Sequence, residues 1–204
     1  MRAVEIAQAL GAAFRAVDGE MALDIAARLQ RNWPEIEPYE AMAPAVLVHL
    51  EAALCAPDAH PATSRLAAAC RALPWCQGLK DSMLPEFHDA YAFIEFFGPD
   101  GLIVAEDFRA GIYIQAPESF YPPHAHNAEE FYLPISGASF FSIDGGPEIE
   151  VPLGSLSHHP SFAWHATRTG PGPLLSLWAW RGDIGRDSYR MRGMEEAALA
   201  AVAH

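Results

Sequence analysis

A short stretch of the chain carries four side chains that could bind a metal ion and act on a substrate. Residues 121–137 contain His124, His126, Glu130 and Tyr132. Side chains alternate between faces along an extended strand, so the two histidines share one face, and Glu130 and Tyr132 share one face of the next strand. Two imidazoles, a carboxylate and a phenol that converge on one point suit a divalent transition metal. The stretch therefore predicts a metal centre.

The composition is that of a globular protein and excludes several classes of partner. Of 204 residues, 51% are hydrophobic and 19% are charged, and the formal net charge is −13. Nucleic acids and anionic membranes require clustered positive charge, so neither is expected as a partner. A small anionic substrate stays open, because a metal ion or a local arginine can override the net charge.

The cysteines and the hydropathy pattern indicate a cytoplasmic protein. Cys55, Cys70 and Cys76 form no C-x-x-C pair, and three cysteines cannot all be paired in a closed disulfide framework. We expect them to be reduced thiols packed in helices. No run of eighteen apolar residues occurs, so no transmembrane helix is predicted.

The first third of the chain has a helical pattern. Alanine and leucine are frequent, and apolar residues recur at spacings of three and four. Gly19, Pro34 and Pro57 mark places where helices should stop, and Thr63 or Ser64 is expected to cap the last helix of this region. The pattern predicts a first helix that ends before Gly19, followed by helices at residues 20–31, 45–55 and 65–73.

The sequence pattern changes from helical to strand-like near residue 91, where short segments rich in aromatic and β-branched residues begin. Gly-Pro, Asp-Gly and Gly-Gly pairs separate several of them, and Asp144-Gly145-Gly146 predicts a hairpin turn. Many short strands at close spacing favour a small antiparallel barrel or jelly roll. Strands are predicted at residues 92–97, 102–104, 111–115, 139–143, 155–158, 165–169 and 174–180, and a final helix at 194–202.

Two spaced motifs resemble those of the cupin family. The first is His124-x-His126-x3-Glu130-x6-Gly137, and the second is Gly154-x5-Pro160-x4-His165. The resemblance implies a cupin β-barrel in which His165 is a fourth metal ligand from a distant strand. Three positions depart from the motifs, since two usual glycines and a usual asparagine are replaced. They are Glu118, Phe162 and Thr169.

The finer resemblance is to the bacterial cupin-type dimethylsulfoniopropionate (DMSP) lyases and their lyase-like relatives. It is carried by Tyr121 together with the first motif and Tyr132, by His165, and by the segment LWAWRGDI at residues 177–184. A helical part ahead of a C-terminal cupin is also similar, so the resemblance covers most of the chain. Together with the change of pattern near residue 91 and the alanine-rich tail, it predicts a helical region at 1–90, a cupin barrel at 91–185 and a helical tail at 186–204. It also implies a carbon–sulfur lyase that releases dimethyl sulfide and acrylate.

The residues suggest how such a reaction would proceed. Metal ligation by His126, Glu130 and His165, with His124 as a further ligand or a substrate contact, would let a divalent ion bind the substrate carboxylate. Tyr132 is then the candidate general base, because a nearby cation favours its phenolate. The predicted sulfonium contacts are the aromatic faces of Tyr121, Trp178 and Trp180.

Other interpretations remain open. Tyr132, Trp178 and Trp180 could simply be core residues, and His158 or His159 could support a ligand without binding the metal. The metal could be Fe, Zn, Mn, Co or Ni. The chain could instead be an Fe(II) dioxygenase or an isomerase for another small carboxylate, or a non-catalytic ligand-binding cupin. A homodimer formed through the N-terminal helices is also considered.

Overall fold

We describe the protein from a computed structural model, which covers residues 2–34, 43–78 and 83–193. The helix predicted at 194–202 lies outside these residues. The helices come first and the strands follow, as the sequence predicts. The helices are Ala3–Arg15 (α1), Glu20–Arg28 (α2), Leu50–Leu54 (α3), Pro61–Ala72 (α4) and Pro85–His88 (α5), with a 3-10 helix at Ala45–His49.

The predicted start of α4 was wrong. The helix begins four residues earlier than expected, with Pro61 in its first turn, where the missing N–H of proline costs nothing. The cap is neither Thr63 nor Ser64 but His60, whose Nδ1 accepts a hydrogen bond from the backbone N–H of Ala62 at 3.2 Å. Histidine is not a preferred capping residue, so the sequence pattern favoured the wrong position.

Strands in two sheets form the β part of the chain. The strands are Tyr91–Gly98 (β1), Ile103–Val104 (β2), Arg109–Gln115 (β3), Phe120–Ala125 (β4), Glu129–Ser136 (β5), Ser139–Ile143 (β6), Ile149–Glu150 (β7), Ser157–His159 (β8), His165–Thr169 (β9), Leu174–Arg181 (β10) and Arg190–Met191 (β11). One sheet has the order β2-β1-β3-β10-β5-β8 and the other β11-β4-β9-β6-β7. This mainly β architecture, which follows the helices in the chain, confirms the predicted fold class.

The six-stranded sheet is buried on both faces. Phe131 and Leu133 of β5 and Leu177 of β10 belong to a core that includes the residues of α1, α2 and α4. Tyr132 and Trp178, which alternate with them, belong to a second cluster on the opposite face. Period-two alternation therefore sends apolar side chains to the helices and polar or aromatic ones to the barrel interior.

The three departures from the cupin motifs keep the backbone geometry that the motifs need. Glu118 and Phe162, which replace usual glycines, both have positive φ, at 50° and 63°. Thr169 Oγ1 donates a hydrogen bond to the Ala116 carbonyl at 2.7 Å and accepts one from the Ser119 N–H at 2.9 Å. The turns are thus retained although the residue types have changed.

The prediction that the three cysteines are packed in helices was wrong for two of them. Only Cys70 lies inside a helix and is buried, whereas Cys55 and Cys76 are exposed. All three are free thiols. Within the described residues, none of the helices is both long and apolar enough to cross a membrane.

Candidate metal centre

Four buried side chains place their ligand atoms within 4.8 Å of one another. His124 lies on β4 and His126 just beyond it, His165 begins β9, and Glu130 lies on β5. Each is no more than 3% exposed. The three histidines therefore come from the side of the five-stranded sheet and the carboxylate from the six-stranded sheet. The grouping is the one that the two motif spacings predict.

The hydrogen bonds of the histidines fit a metal ion. Each histidine has its Nδ1 close to a backbone carbonyl. The distances are 2.9 Å from His124 to Pro122, 3.0 Å from His126 to Ala128 and 2.9 Å from His165 to Ala163. A carbonyl only accepts, so each Nδ1 carries the proton and each Nε2 presents a lone pair.

The inner atoms of the cluster therefore lack a proton to share. Nε2 of His165 lies 2.9 Å from Glu130 Oε2 yet has no hydrogen-bond partner among the described residues. Lone pairs from imidazoles and a carboxylate that face each other in a buried site need a cation between them. The residues present thus fit a divalent metal ion, and the cluster could hold one.

The electrostatics of the site favour the metal-binding forms of His124 and Glu130. Burial and the neighbouring His165 hold the pKa of His124 well below its usual range, so this imidazole is neutral. Burial by itself raises the pKa of Glu130, but the surrounding imidazoles of His126, His159 and His165 outweigh it and hold that pKa well below its usual value. A neutral imidazole and an ionised carboxylate are the forms that bind metals.

Tyr132 lies two residues beyond Glu130 on the same face of β5, beside the cluster. Its ring packs against those of Tyr113, Phe141 and His159, at centroid distances of 5.6, 5.4 and 5.6 Å. Burial, and then the charge of Glu130, raise the pKa of the Tyr132 phenol well above its usual value. Without a neighbouring cation the phenol would therefore stay protonated.

Tyr121 is buried between two rings. It stacks on His124 with ring centroids 3.8 Å apart, and on Phe87 at 4.2 Å from the other side. Its hydroxyl lies 2.7 Å from the hydroxyl of Tyr189. These contacts restrain the ring of Tyr121 and the ring of His124 beneath it.

The two tryptophans of β10 share a face, as alternation predicts, but have different surroundings. Trp178 is 7% exposed, and its Nε1 has no partner among the described residues. A Cβ on Gly111 would lie 2.8 Å from that nitrogen, so the glycine makes room for the indole. Trp180 packs against His126, with ring centroids 4.2 Å apart, and donates a hydrogen bond from Nε1 to Glu130 Oε1 at 2.6 Å. Only Trp178 leaves its N–H free.

A cavity of about 410 Å³ opens beside the cluster. Arg109 and Arg186 contribute the positive charge, and Asp187 and Glu130 the negative charge. Most of the remaining wall is aromatic. The aromatic lining residues are Tyr91, Phe93, Tyr113, Tyr121, Tyr132, Trp178, Trp180 and Tyr189.

The sequence analysis did not identify Tyr189, and it left open whether His158 or His159 supports a metal ligand. Tyr189 lies in the segment after β10, between Arg186, which is ion-paired with Glu95, and β11, which pairs with β4. His159 is fully buried, with its ring centroid 4.3 Å from that of His165. The signal for His159 was its position at the second motif, whereas Tyr189 carried none.

Comparisons with known proteins agree with this geometry. The family model for dimethylsulfoniopropionate lyase matches residues 18–176. Dimethylsulfoniopropionate lyase DddQ of Ruegeria pomeroyi is 33% identical over 99 residues, which are 48% of this chain and 49% of that protein. Putative dimethylsulfoniopropionate lyase DddL of Cereibacter sphaeroides is 31% identical over 93 residues, which are 45% of this chain and 39% of the relative. The chain thus matches less than half the length of both curated relatives.

Solved structures extend the likeness to nearly the whole chain. A chain from the crystal structures of the DMSP lyases RdDddP and RnDddQII superposes with a TM-score of 0.73 and 26% identity, covering 93% of this chain and 97% of the other. The crystal structure of DMSP lyase DddQ from Ruegeria pomeroyi gives a TM-score of 0.66 and 25% identity, with coverage of 80% and 83%. The chain belongs to the dimethylsulfoniopropionate lyase family, with a cupin fold.

Proposed function

We propose that this protein is a metal-dependent dimethylsulfoniopropionate lyase, which cleaves its substrate to dimethyl sulfide and acrylate. The observation that carries the proposal is the position of Tyr132, beside a buried three-histidine, one-carboxylate cluster and within an aromatic cavity. Membership of the lyase family supports the substrate class.

The proposed metal ligands are His124, His126, Glu130 and His165. A divalent ion held there would bind the substrate carboxylate and stabilise the negative charge that develops on it. We retain Fe, Zn, Mn, Co and Ni as candidates, since imidazole and carboxylate ligands suit all of them.

The proposed base is Tyr132. Its phenolate oxygen takes the proton from the carbon next to the substrate carboxylate, and the electron pair of that C–H bond forms the double bond of acrylate. The bond between the β carbon and sulfur breaks, and its electrons leave with dimethyl sulfide. Because burial raises the pKa of Tyr132, the phenolate requires a nearby positive charge, and a general base works best when its pKa is close to the ambient pH.

The aromatic wall is the proposed site for the sulfonium group. A cation over an aromatic face gains roughly 0.5–2 kcal/mol when it is partly desolvated. Trp178 and Tyr121 both line the cavity. We propose Trp178 as the sulfonium contact, because His124 and Phe87 already cover the two faces of the Tyr121 ring. Trp180 lines it too, but its indole nitrogen is engaged by Glu130, so only its ring face is available.

Headspace detection of dimethyl sulfide tests the function. The purified protein is stripped of metal, reloaded in turn with each of the five candidate ions and given dimethylsulfoniopropionate over a broad pH range. We expect release with at least one ion and none from the stripped protein. If no ion supports release, the substrate assignment is wrong. Oxygen uptake with small carboxylates would then favour a dioxygenase, because β-elimination needs no oxidant.

A further inference from the structure

Two side chains that are not proposed metal ligands, Trp180 and His159, contact Glu130 from outside the cluster. Trp180 donates a hydrogen bond from Nε1 to Oε1 at 2.6 Å. On the other side, Nδ1 of His159 lies 3.5 Å from Oε2. The carboxylate is 3% exposed, so no bulk water competes for these positions.

The strand register explains this arrangement. Trp180 on β10 pairs with Glu130 on β5, and Glu130 pairs in turn with His159 on β8. Residues that pair across neighbouring strands point to the same face of a sheet, with their Cβ atoms about 4.5–5.5 Å apart. The three side chains therefore form a row across the six-stranded sheet, with the carboxylate in the middle.

The hydrogen bond of His159 on its far side indicates which nitrogen carries the proton. Nε2 lies 3.0 Å from Ser157 Oγ, and the ring is fully buried. When the serine hydroxyl donates to Nε2, the proton is on Nδ1 and faces Glu130. Nδ1 has no hydrogen-bond partner among the described residues, and a buried N–H costs free energy unless an acceptor is near. The Glu130 carboxylate faces this N–H, with Oε2 3.5 Å from Nδ1, an electrostatic contact longer than a usual hydrogen bond.

The same tryptophan also restrains a histidine of the cluster. Its ring lies 4.2 Å from that of His126, at an interplanar angle of 32°. Trp180 therefore touches two of the four proposed ligands, one through its ring and one through its N–H. Trp178, two residues earlier on the same strand, touches neither through a hydrogen bond.

We propose that Trp180 and His159 are positioning residues that fix the rotamer of Glu130, with Oε1 held by the indole and Oε2 turned to the three imidazoles. In this arrangement Glu130 would present Oε2 to a metal ion, because Oε1 is occupied by the indole N–H. The inference rests on the metal centre of the proposed function.

Cobalt(II) affinity measured by competition with a chromophoric chelator tests the proposal. Trp180→Phe keeps an aromatic ring over His126 but removes the N–H donor. We expect it to weaken cobalt binding by roughly 10–100-fold, the usual effect of losing a partner of a ligand, and to change the cobalt absorption spectrum. Trp178→Phe is the matched control, and we expect it to leave the affinity and the spectrum unchanged.

Substitutions of His159 test the other side of the carboxylate. His159→Leu removes the donor, and we expect it to weaken cobalt binding. His159→Asn places an amide N–H close to the position of Nδ1, and we expect it to recover most of the affinity. This pair gives the same test if Trp180→Phe does not fold, which thermal unfolding of each metal-free variant reveals.

The outcomes separate this inference from the proposed function. If wild-type protein binds cobalt tightly, and Trp180→Phe and His159→Leu bind it equally well with the same spectrum, the positioning role is wrong and the metal centre stands. If the wild-type protein does not bind cobalt or any other candidate ion, the metal centre is wrong and both proposals fall.

Discussion

The hydroxyl oxygens of Tyr121 and Tyr189 lie 2.7 Å apart at the wall of the cavity. The contact joins β4 to the segment after β10, which is also tied to the barrel by the ion pair of Arg186 with Glu95 and by a hydrogen bond from the Asn127 N–H to Ser188 Oγ. Tyr121 in turn stacks on His124. Tyr189 in this segment therefore contacts Tyr121, which in turn packs on the proposed metal ligand His124.

Removing one hydroxyl from this pair tests its importance for substrate binding. A neutral hydrogen bond contributes about 1 kcal/mol, which corresponds to about fivefold in an equilibrium constant. If the phenol pair holds the cavity wall in its binding form, we expect Tyr189→Phe to raise the KM for dimethylsulfoniopropionate by no more than that factor while the bound metal stays constant. Steady-state dimethyl sulfide release and metal analysis provide the two measurements. An unchanged KM would show that the phenol pair does not contribute to binding.

Replacement of the proposed base should separate chemistry from metal binding. Loss of a general base costs about 10²–10⁴-fold in rate, so we expect Tyr132→Phe to lose dimethyl sulfide release to that extent with its metal content intact. Tyr113→Phe is the matched control, because the Tyr113 ring meets that of Tyr132 edge-on and its hydroxyl donates to Gln115 at 2.8 Å. We expect its loss to be at least tenfold smaller. Near-normal turnover by Tyr132→Phe would remove it as the base.

An ion pair at the helix–sheet boundary should make stability depend on pH. Glu129 contacts Arg181 and His158, and its hydrogen bond with Arg181 holds its pKa below the usual value of 4.5. A depressed pKa stabilises the fold above the unfolded value, and the contribution is lost as the pH falls through the folded pKa. The carboxylate is partly exposed, so we expect Glu129→Gln to cost no more than about 1 kcal/mol at pH 7.

Chemical denaturation of metal-free protein at pH 7 and at about pH 3, well below the usual glutamate pKa, checks this dependence. The difference between wild-type protein and Glu129→Gln should shrink at the acid pH. Glu148→Gln, which removes an exposed partner of Arg168, is the control and should have a smaller effect at both values. A difference that grows on acidification would contradict the assignment.

Two glycines with similar φ should differ sharply in their tolerance of alanine. Gly137 of the first motif has φ 80° and Gly145 of the β6–β7 turn has φ 75°. A Cβ would clash with the Pro173 carbonyl at Gly137 but would meet nothing within 4 Å at Gly145. We expect Gly145→Ala to cost about 1–2 kcal/mol of unfolding free energy and Gly137→Ala several kcal/mol more. Equal losses in urea unfolding would refute the steric argument.

The strained glutamate at the start of the first motif offers a stabilising change. Glu118 is exposed and has φ 50°, and a non-glycine residue in this region costs roughly 1–3 kcal/mol. We expect Glu118→Gly to stabilise the protein by about 1 kcal/mol after the added entropy of the unfolded chain is subtracted. Glu118→Ala retains the Cβ and should give no gain. Thermal unfolding distinguishes the two variants.

Much of the site could be predicted from sequence because its signals are local. Alternation along β4 and β5 predicts which of His124, His126, Glu130 and Tyr132 share a face. The two motif spacings add His165 by resemblance. Turn signals such as Asp144-Gly145 separate the strands, and β6 and β9 have the predicted bounds.

The remaining features depend on contacts between parts of the chain that are far apart. Trp180 and His159 lie beside Glu130 because β10 and β8 flank β5 in the sheet and are paired with it in a particular register. No local sequence pattern predicts that order or that register. Tyr189 lies in a segment with weak periodicity, so it received no role. Local propensity also failed at α4, where a proline in the first turn and a histidine cap decide where the helix begins.

The division of the four proposed ligands between the two sheets has a mechanical consequence. An ion bound to His124 and His165 on one side and to Glu130 on the other would join the sheets across the barrel and set the width of the cavity between them. The sheet that carries Glu130 is the one on which α1, α2 and α4 pack. Buried helix residues far from any substrate therefore support the sheet that supplies the single carboxylate of the cluster.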